Sequence, residues 1–190
     1  GDEVSNQVAF TPWLDACGGS PIGGHFRNTT TLEEFASVQQ AVDDPQTLYG
    51  HTIVPITSGP FPGSATINKS GVTIDLSGRT FTGSSPAFTI TADDVVVQNG
   101  VLDGWTGTAN NSSPAVLVQA GADNFNLLNC EVKRWKDGVE LAGPVISLKV
   151  VSNWFHDNQE SGLQINSGAS VNGVLTIEGN LFKENLGPGV

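Results

Sequence analysis

The sequence predicts an all-β solenoid, a stack of short coils rather than a sandwich of sheets. Three observations carry that reading. One phrase recurs: VVVQNGVLDGW from Val95, FNLLNCEVKRW from Phe125, LKVVSNWFHDN from Leu148 and LTIEGNLFKEN from Leu175, with a weaker forerunner, VTIDLSGRTFTG, from Val72. Successive starts lie 23, 30, 23 and 27 residues apart, a spacing typical of stacked repeats. A second unit falls between them: PAFTI at Pro86, PAVLV at Pro114, GVEL at Gly138, GLQI at Gly162 and a bare GV at Gly189. Within each long phrase the apolar residues alternate, as Val95 and Val97, Phe125 and Leu127, Leu148 and Val150, Leu175 and Ile177. Period two means a strand with one buried face.

Each period therefore reads as strand, tight turn, short strand, variable loop, strand. Aligned coil on coil, like residues fill like columns. The strand after the turn gives Leu102, Val132, Phe155 and Phe182. The last strand gives Phe88, Val116, Val139 and Leu163, and beside them Ile90, Val118, Leu141 and Ile165. One coil cannot bury such residues alone, whereas stacked coils make one continuous core. The turn column holds Asn153 and Asn180, with Asn99 and Asn129 one position earlier, and a further column holds Asn158 and Asn185. Stacked asparagines can bond side chain to side chain along the axis. They also suit tight turns for local reasons. Both readings are structural.

These motifs, over roughly Leu32 to Val190, resemble the right-handed parallel β-helix, or pectin-lyase-like, family of bacterial secreted and surface proteins. The resemblance implies a parallel β-helix domain over 31–190, closed at its start by a short capping helix. It says little about activity, because the same coils carry lyases, hydrolases, esterases and adhesins.

Taken in order, residues 1–30 form an irregular segment outside the repeat. Val8–Leu14, VAFTPWL, is strand-like, with a proline suited to an edge. It is similar to the segment that closes many bacterial β-helices, so 1–30 reads as the tail of a preceding module. The glycine-rich CGGSPIGGHFRNTT then reads as a flexible linker. Thr31 and Glu34 have capping-box spacing, and Leu32, Phe35, Val38 and Val42 form an apolar stripe at helical spacing. A helix here would plug the first coil, whose end otherwise exposes unpaired backbone and apolar side chains. Asp44-Pro45 ends it. HTIVPI from His51 and ATINKS from Ala65 are the first strands, joined by the turn SGPFPGS. At the other end Val190 falls in the column of Val139 and Leu163, where a strand would begin. The domain therefore reads as incomplete there, with missing C-terminal coils or a further chain stacked on the open end.

The 190 residues carry a net charge of −11, which argues against nucleic acid, whose phosphates demand basic patches, and against anionic membranes. No apolar run approaches the ~18 residues of a spanning helix, so membrane insertion is not expected. Few lysines and many Thr, Ser and Asn residues fit a secreted or cell-surface protein. Cys17 and Cys130 are the two cysteines. A disulfide between them would tie the N-terminal segment to the stack. Alternatively Cys130 is a small buried residue in the column of Gly100, Asn153 and Asn180.

The resemblance places a substrate groove on the strands PAFTI, PAVLV, GVEL and GLQI and the loops before them. Outward positions there are Thr89, Leu117, Glu140 and Gln164. The loops add Asp103 and Trp105, then Lys133, Arg134, Trp135, Lys136 and Asp137, then His156, Asp157 and Glu160. Trp105 and Trp135 are candidates for stacking on pyranose faces. Arg134, Lys136, Asp137, Glu140, His156, Asp157 and Gln164 are candidates for hydrogen bonding. A Ca²⁺-dependent lyase would need clustered carboxylates, yet the outward column supplies one. The polygalacturonase-like signatures Asn-Thr-Asp, Gly-His-Gly and Arg-Ile-Lys are absent, and no esterase-like aspartate pair is evident. His25, His51 and His156 are scattered and read as solvated or structural, with an acid-base role for His156 the lesser alternative. No metal set or cofactor motif appears. The favoured expectation is a structural or adhesive module that binds a polysaccharide or cell-surface glycan without a cofactor. The alternative is a polysaccharide lyase, with Ca²⁺, or a glycoside hydrolase acting on acidic polysaccharide.

Overall fold

The computed structural model describes residues 24–189 apart from 84, 106, 108 and 109. The chain enters through β1 (Phe26–Asn28) and β2 (Glu34–Phe35), then α1 (Val38–Asp43). The first coil is β3 (Thr52–Pro55), β4 (Phe61–Pro62) and β5 (Ala65–Ile67). The second is β6 (Thr73–Asp75), β7 (Thr80–Thr82) and β8 (Phe88–Ile90), and the third β9 (Val96–Gln98), β10 (Val101–Asp103) and β11 (Val116–Val118). Then come β12 (Phe125–Leu128), β13 (Glu131–Lys133) and β14 (Val139–Leu141), followed by β15 (Val145–Val151), β16 (Trp154–His156) and β17 (Leu163–Ile165). The last strands are β18 (Val171–Glu178) and β19 (Leu181–Lys183).

Each strand of a coil joins a different sheet. The first sheet runs β18-β15-β12-β9-β6-β3-β1-β2, the second β19-β16-β13-β10-β7-β4 and the third β17-β14-β11-β8-β5. Coil pairs with coil in parallel, while β1 pairs antiparallel with β2 and β3. The expected columns hold. Leu102 faces Val132, Val132 faces Phe155 and Phe155 faces Phe182. The last two rings stack with centroids 5.1 Å apart. At the other end Phe26, Phe61, Phe81 and Phe88 continue the core, with successive centroids 4.7, 5.3 and 5.6 Å apart.

Two corners set the register. Between the first and second sheets, Asn99, Asn129, Ser152 and Gly179 all have φ between 53° and 63°. That left-handed residue turns the next one inward, and the inward column is Gly100, Cys130, Asn153 and Asn180. Asn153 Nδ2 donates to Asn180 Oδ1 at 3.0 Å and to the Leu127 carbonyl at 3.0 Å, while its own Oδ1 accepts from Cys130 N at 2.9 Å. The corner after the second sheet repeats the device: Arg134, Asp157 and Glu184 have φ of 62°, 56° and 56°. Trp135, Asn158 and Asn185 follow them. Asn158 Nδ2 donates to Asn185 Oδ1 at 2.9 Å, and Asn158 Oδ1 accepts from Trp135 N at 3.1 Å. The asparagines thus form ladders as well as filling corners.

The N-terminal expectations need correction. Thr31 does not open the helix; the N-cap is Ser37, whose Oγ accepts from Gln40 N at 3.1 Å. Gln40 Oε1 in turn accepts from Ala36 N at 3.0 Å. Ser37 and Gln40 therefore cap the helix in place of the expected Thr-x-x-Glu box, with Gln40 closing on Ala36 N rather than on the N–H of the cap residue itself. Leu32 turns left-handed at φ 65° and lies 69% exposed, so it leaves the apolar stripe. Phe35 belongs to β2, and only Val38, Ala41 and Val42 are the buried face of α1. The helix packs on β5, β1 and β2, which is the expected capping place. Phe26–Asn28, expected in a linker, is a strand because it pairs antiparallel with β2 and β3, and its buried Asn28 donates from Nδ2 to Thr47 Oγ1 at 3.0 Å. SGPFPGS is more than a turn: its Phe61-Pro62 forms β4. Val8–Leu14 and Val190 lie outside the described residues.

Packing between coils explains which residue precedes each third-sheet strand. Ala87 and Ala115 stand where the next coil offers Leu102 and Val132. Gly138 and Gly162 stand where it offers Phe155 and Phe182. A Cβ at Gly138 would meet Phe155 Cδ1 and the Gly162 carbonyl at 2.4 Å, and one at Gly162 would meet Phe182 Cδ1 at 2.3 Å. Small against large keeps the coil spacing constant. Gly162→Ala is expected to cost about 2 kcal/mol by overpacking, and adding Phe182→Leu should recover part of that loss in a denaturant double-mutant cycle. Asn158→Ala should cost about 3 kcal/mol, since it strands the buried Trp135 N–H and the Val132 carbonyl. Chemical denaturation of the single variants measures both.

Candidate functional site

The outward residues of the second sheet make two columns. Val101, Glu131, Trp154 and Leu181 form one; Asp103, Lys133, His156 and Lys183 form the other. Both gather near the loops that lead to the third sheet. Trp154 is 41% exposed and stacks on His156 with ring centroids 4.0 Å apart. The two are neighbours because residues two apart on a strand share a face. His156 is nearly buried. Its Nδ1 lies 2.7 Å from Asp157 Oδ2 and its Nε2 3.0 Å from Glu131 Oε1. Glu131 Oε1 also accepts from Lys133 Nζ at 2.6 Å. Burial alone would raise the Glu131 carboxyl, but the bonds from Lys133 and His156 outweigh it and hold the group below the usual carboxylate range.

One corner further on, Trp105 is 44% exposed. The Arg134 guanidinium lies 5.5 Å from its ring centroid, a cation–π distance. Arg134 is fixed there by Asp103, with Nε donating to Oδ1 at 2.8 Å and Nη2 pairing with Oδ2. The left-handed corner at Arg134 aims its side chain outward and that of Trp135 inward. Trp135 is 0% exposed and belongs to the core, so it cannot stack on a sugar as expected. The exposed tryptophan that the sequence reading passed over is Trp154. Its signal was there: it flanks the inward Phe155 on a two-residue alternation.

The remaining candidates separate from this face. Lys136 lies 3.3, 3.9 and 3.6 Å from carboxylate oxygens of Asp137, Glu140 and Glu160. Burial would lower its ammonium, but the pairing with Asp137 and the charges of Glu160 and Glu140 prevail and raise it above the usual lysine range. Asp137 is fully buried; its Oδ1 accepts from Ser161 N at 2.9 Å. Glu140 takes Asn166 Nδ2 at 2.8 Å, and Gln164 takes Ser161 Oγ at 3.3 Å. So Asp137, Glu140 and Glu160 surround a lysine. Among the described residues no three His, Cys, Asp or Glu side chains are grouped to hold a metal ion, and the carboxylates a Ca²⁺ site would use do not fit one.

A family model described as a right-handed β-helix region matches residues 62–190, more than half of the chain. The chain belongs to the right-handed β-helix family. No curated protein and no solved structure gives a significant match. The matched stretch begins within β4 and takes in every outward residue described above, so this site is carried by the family's repeating coils. No helix among the described residues is long and apolar enough to cross a membrane.

Cys130, expected either in a disulfide or as a small core residue, is free and buried in the corner column of this β-helix. Cys17 lies outside the described residues. Burial pushes the Cys130 thiol up to about 12. In a Cys17→Ser variant, Cys130 should resist thiolate-selective reagents at neutral pH, with roughly three orders of magnitude less thiolate than an ordinary cysteine. Labelling with an aromatic disulfide, with and without denaturant, checks this; equal rates would contradict it.

Proposed function

We propose that this β-helix is a structural, adhesive module of a secreted or cell-surface protein, and that its loop-bearing flank binds carbohydrate without a cofactor. One observation carries the reading. Two half-exposed tryptophans, Trp105 and Trp154, stand on the same flank, each backed by a fixed nitrogen group, Arg134 and His156. An indole held flat at a surface is a stacking platform for the apolar face of a pyranose. Charged side chains around it are already paired: Asp103 with Arg134, Glu131 with Lys133, Glu184 with Lys183 at 3.1 Å. They are therefore placed to give hydrogen bonds to hydroxyls at little cost in reorganisation.

The end face of the stack leaves inward residues open: Leu175 is 42% exposed and Phe182 is only partly covered. A neighbouring chain stacked there would bury them.

Trp154→Ala and Trp105→Ala should each weaken glycan binding about tenfold, equivalent to ~1.4 kcal/mol, without changing the denaturation midpoint by more than the scatter of surface variants. Affinity electrophoresis in gels cast with neutral and acidic polysaccharides measures this. Migration of the native protein unaltered by every polysaccharide would sink the proposal.

A further inference from the structure

His156 is sited where only one protonation state satisfies its neighbours. Both ring nitrogens face a carboxylate oxygen, at 2.7 and 3.0 Å. Ionised carboxylates accept hydrogen bonds and cannot donate. Glu131 is ionised, held so by Lys133 and by His156 itself. Asp157 is half-exposed to water. Two acceptors on two nitrogens require a hydrogen on each, which is the imidazolium.

We infer that His156 is a proton-loaded clamp: the imidazolium binds Asp157 and Glu131 at once, holds the Trp154 indole in its stacked place, and lets go of it when the proton leaves. This rests on the reading of Trp154 as a glycan platform and adds regulation to it. A neutral imidazole has one N–H and one lone pair. The lone pair would then face a carboxylate at hydrogen-bond distance, which is repulsive. Glu131 is anchored by Lys133, so Asp157, exposed on its left-handed corner, is the partner that departs. The ring loses its fixed plane, and the indole stacked on it loses its support.

The charges packed round the ring balance closely. From β13 come Glu131 and Lys133, from the corner Asp157, and from β19 Lys183, which is paired with Glu184. From β10 comes Asp103, already neutralised by Arg134. The two lysines in the histidine's own column oppose its charge, and the two carboxylates that touch it favour it. Contact decides in favour of the carboxylates, because an ion pair at hydrogen-bond distance outweighs charges already engaged elsewhere.

The test uses the full chain labelled with ¹⁵N-histidine, with His156 assigned by comparison with His156→Gln. At about pH 5.5 both ring nitrogens should carry hydrogen, and at about pH 9 the ring should be a neutral tautomer. Over the same change the Trp154 backbone N–H should exchange several-fold faster than its intrinsic rate change explains. Binding to the polysaccharide that retards the native protein should weaken several-fold in parallel. His156→Gln should bind independently of pH, at the weak, alkaline level. A neutral ring at about pH 5.5 overturns the clamp, and so does a pH dependence of exchange that survives in His156→Gln. Should that variant not fold, Asp157→Asn replaces it, and there the ring must lose its proton at lower pH than in the native chain. If no polysaccharide binds at any pH, the glycan reading fails, while the ring shifts and Trp154 exchange still judge the clamp.

Discussion

Every strand from β6 onward finds its hydrogen-bond partners one coil away, and that single constraint governs the rest. Parallel bonding coil to coil fixes the vertical spacing at about 4.8 Å. It also forces each residue to sit on its counterpart, so a column tolerates only side chains that pack on their own kind. Along the stack the aliphatic Leu102 and Val132 give way to the rings of Phe155 and Phe182, and the backbone opposite answers by going from Ala87 and Ala115 to Gly138 and Gly162. The glycines here are a matter of space, since neither has a positive φ.

The same constraint decides which side chains reach solvent. From Asn99 and Arg134 onward, the left-handed residue at each of the two corners turns the next one into the stack. Trp135 follows Arg134 and is buried; Asn158 follows Asp157 and is buried. Trp105 falls at the same place in its phrase, yet its coil leaves the regular path at Gly104, where a Cβ would meet the Arg134 carbonyl at 2.3 Å. That departure begins the long loop behind the 30-residue spacing. It returns with Asn111, whose Oδ1 caps Ser113 N at 2.9 Å. One exposed indole therefore comes from an insertion and the other, Trp154, from simple strand alternation.

Much of this was legible in the sequence, because repetition is a non-local signal that a single chain can display. The three apolar columns, their register and the asparagine ladders followed from aligning phrases. The errors arose where repetition gave out. At the entry, Thr31/Glu34 and Ser37/Gln40 both have box spacing, and local pattern could not choose between them. Tertiary pairing of β1 with β2 and β3 pulled residues 26–28 and 34–35 into strands and left the helix to start at Ser37. Trp135 was misplaced for a different reason. Its alignment with Asn158 and Asn185 was visible, but an asparagine column does not announce itself as an interior one until the left-handed corner is known. Its partner columns are polar because the corner leaves backbone groups to satisfy, and an indole can fill the same space where the coil below departs.

The charges of the flank make sense in this frame. A chain of net charge −11 places three of its eight basic residues, Lys133, Arg134 and Lys183, within or beside the second sheet's outward columns, and each meets a carboxylate there. Stacked coils bring equivalent positions within about 5 Å, so like charges in one column would repel at every level. Carboxylates beside each cation, Glu131 at Lys133, Asp157 at His156 and Glu184 at Lys183, offset that cost and hold each side chain in one place. A surface so neutralised has little long-range field to attract a polyanion. On the glycan reading proposed above, recognition falls to shape and to the apolar faces of Trp105 and Trp154, which Arg134 and His156 back. The exposed indoles and the ion pairs are therefore neighbours on one flank, joined through Arg134 and His156.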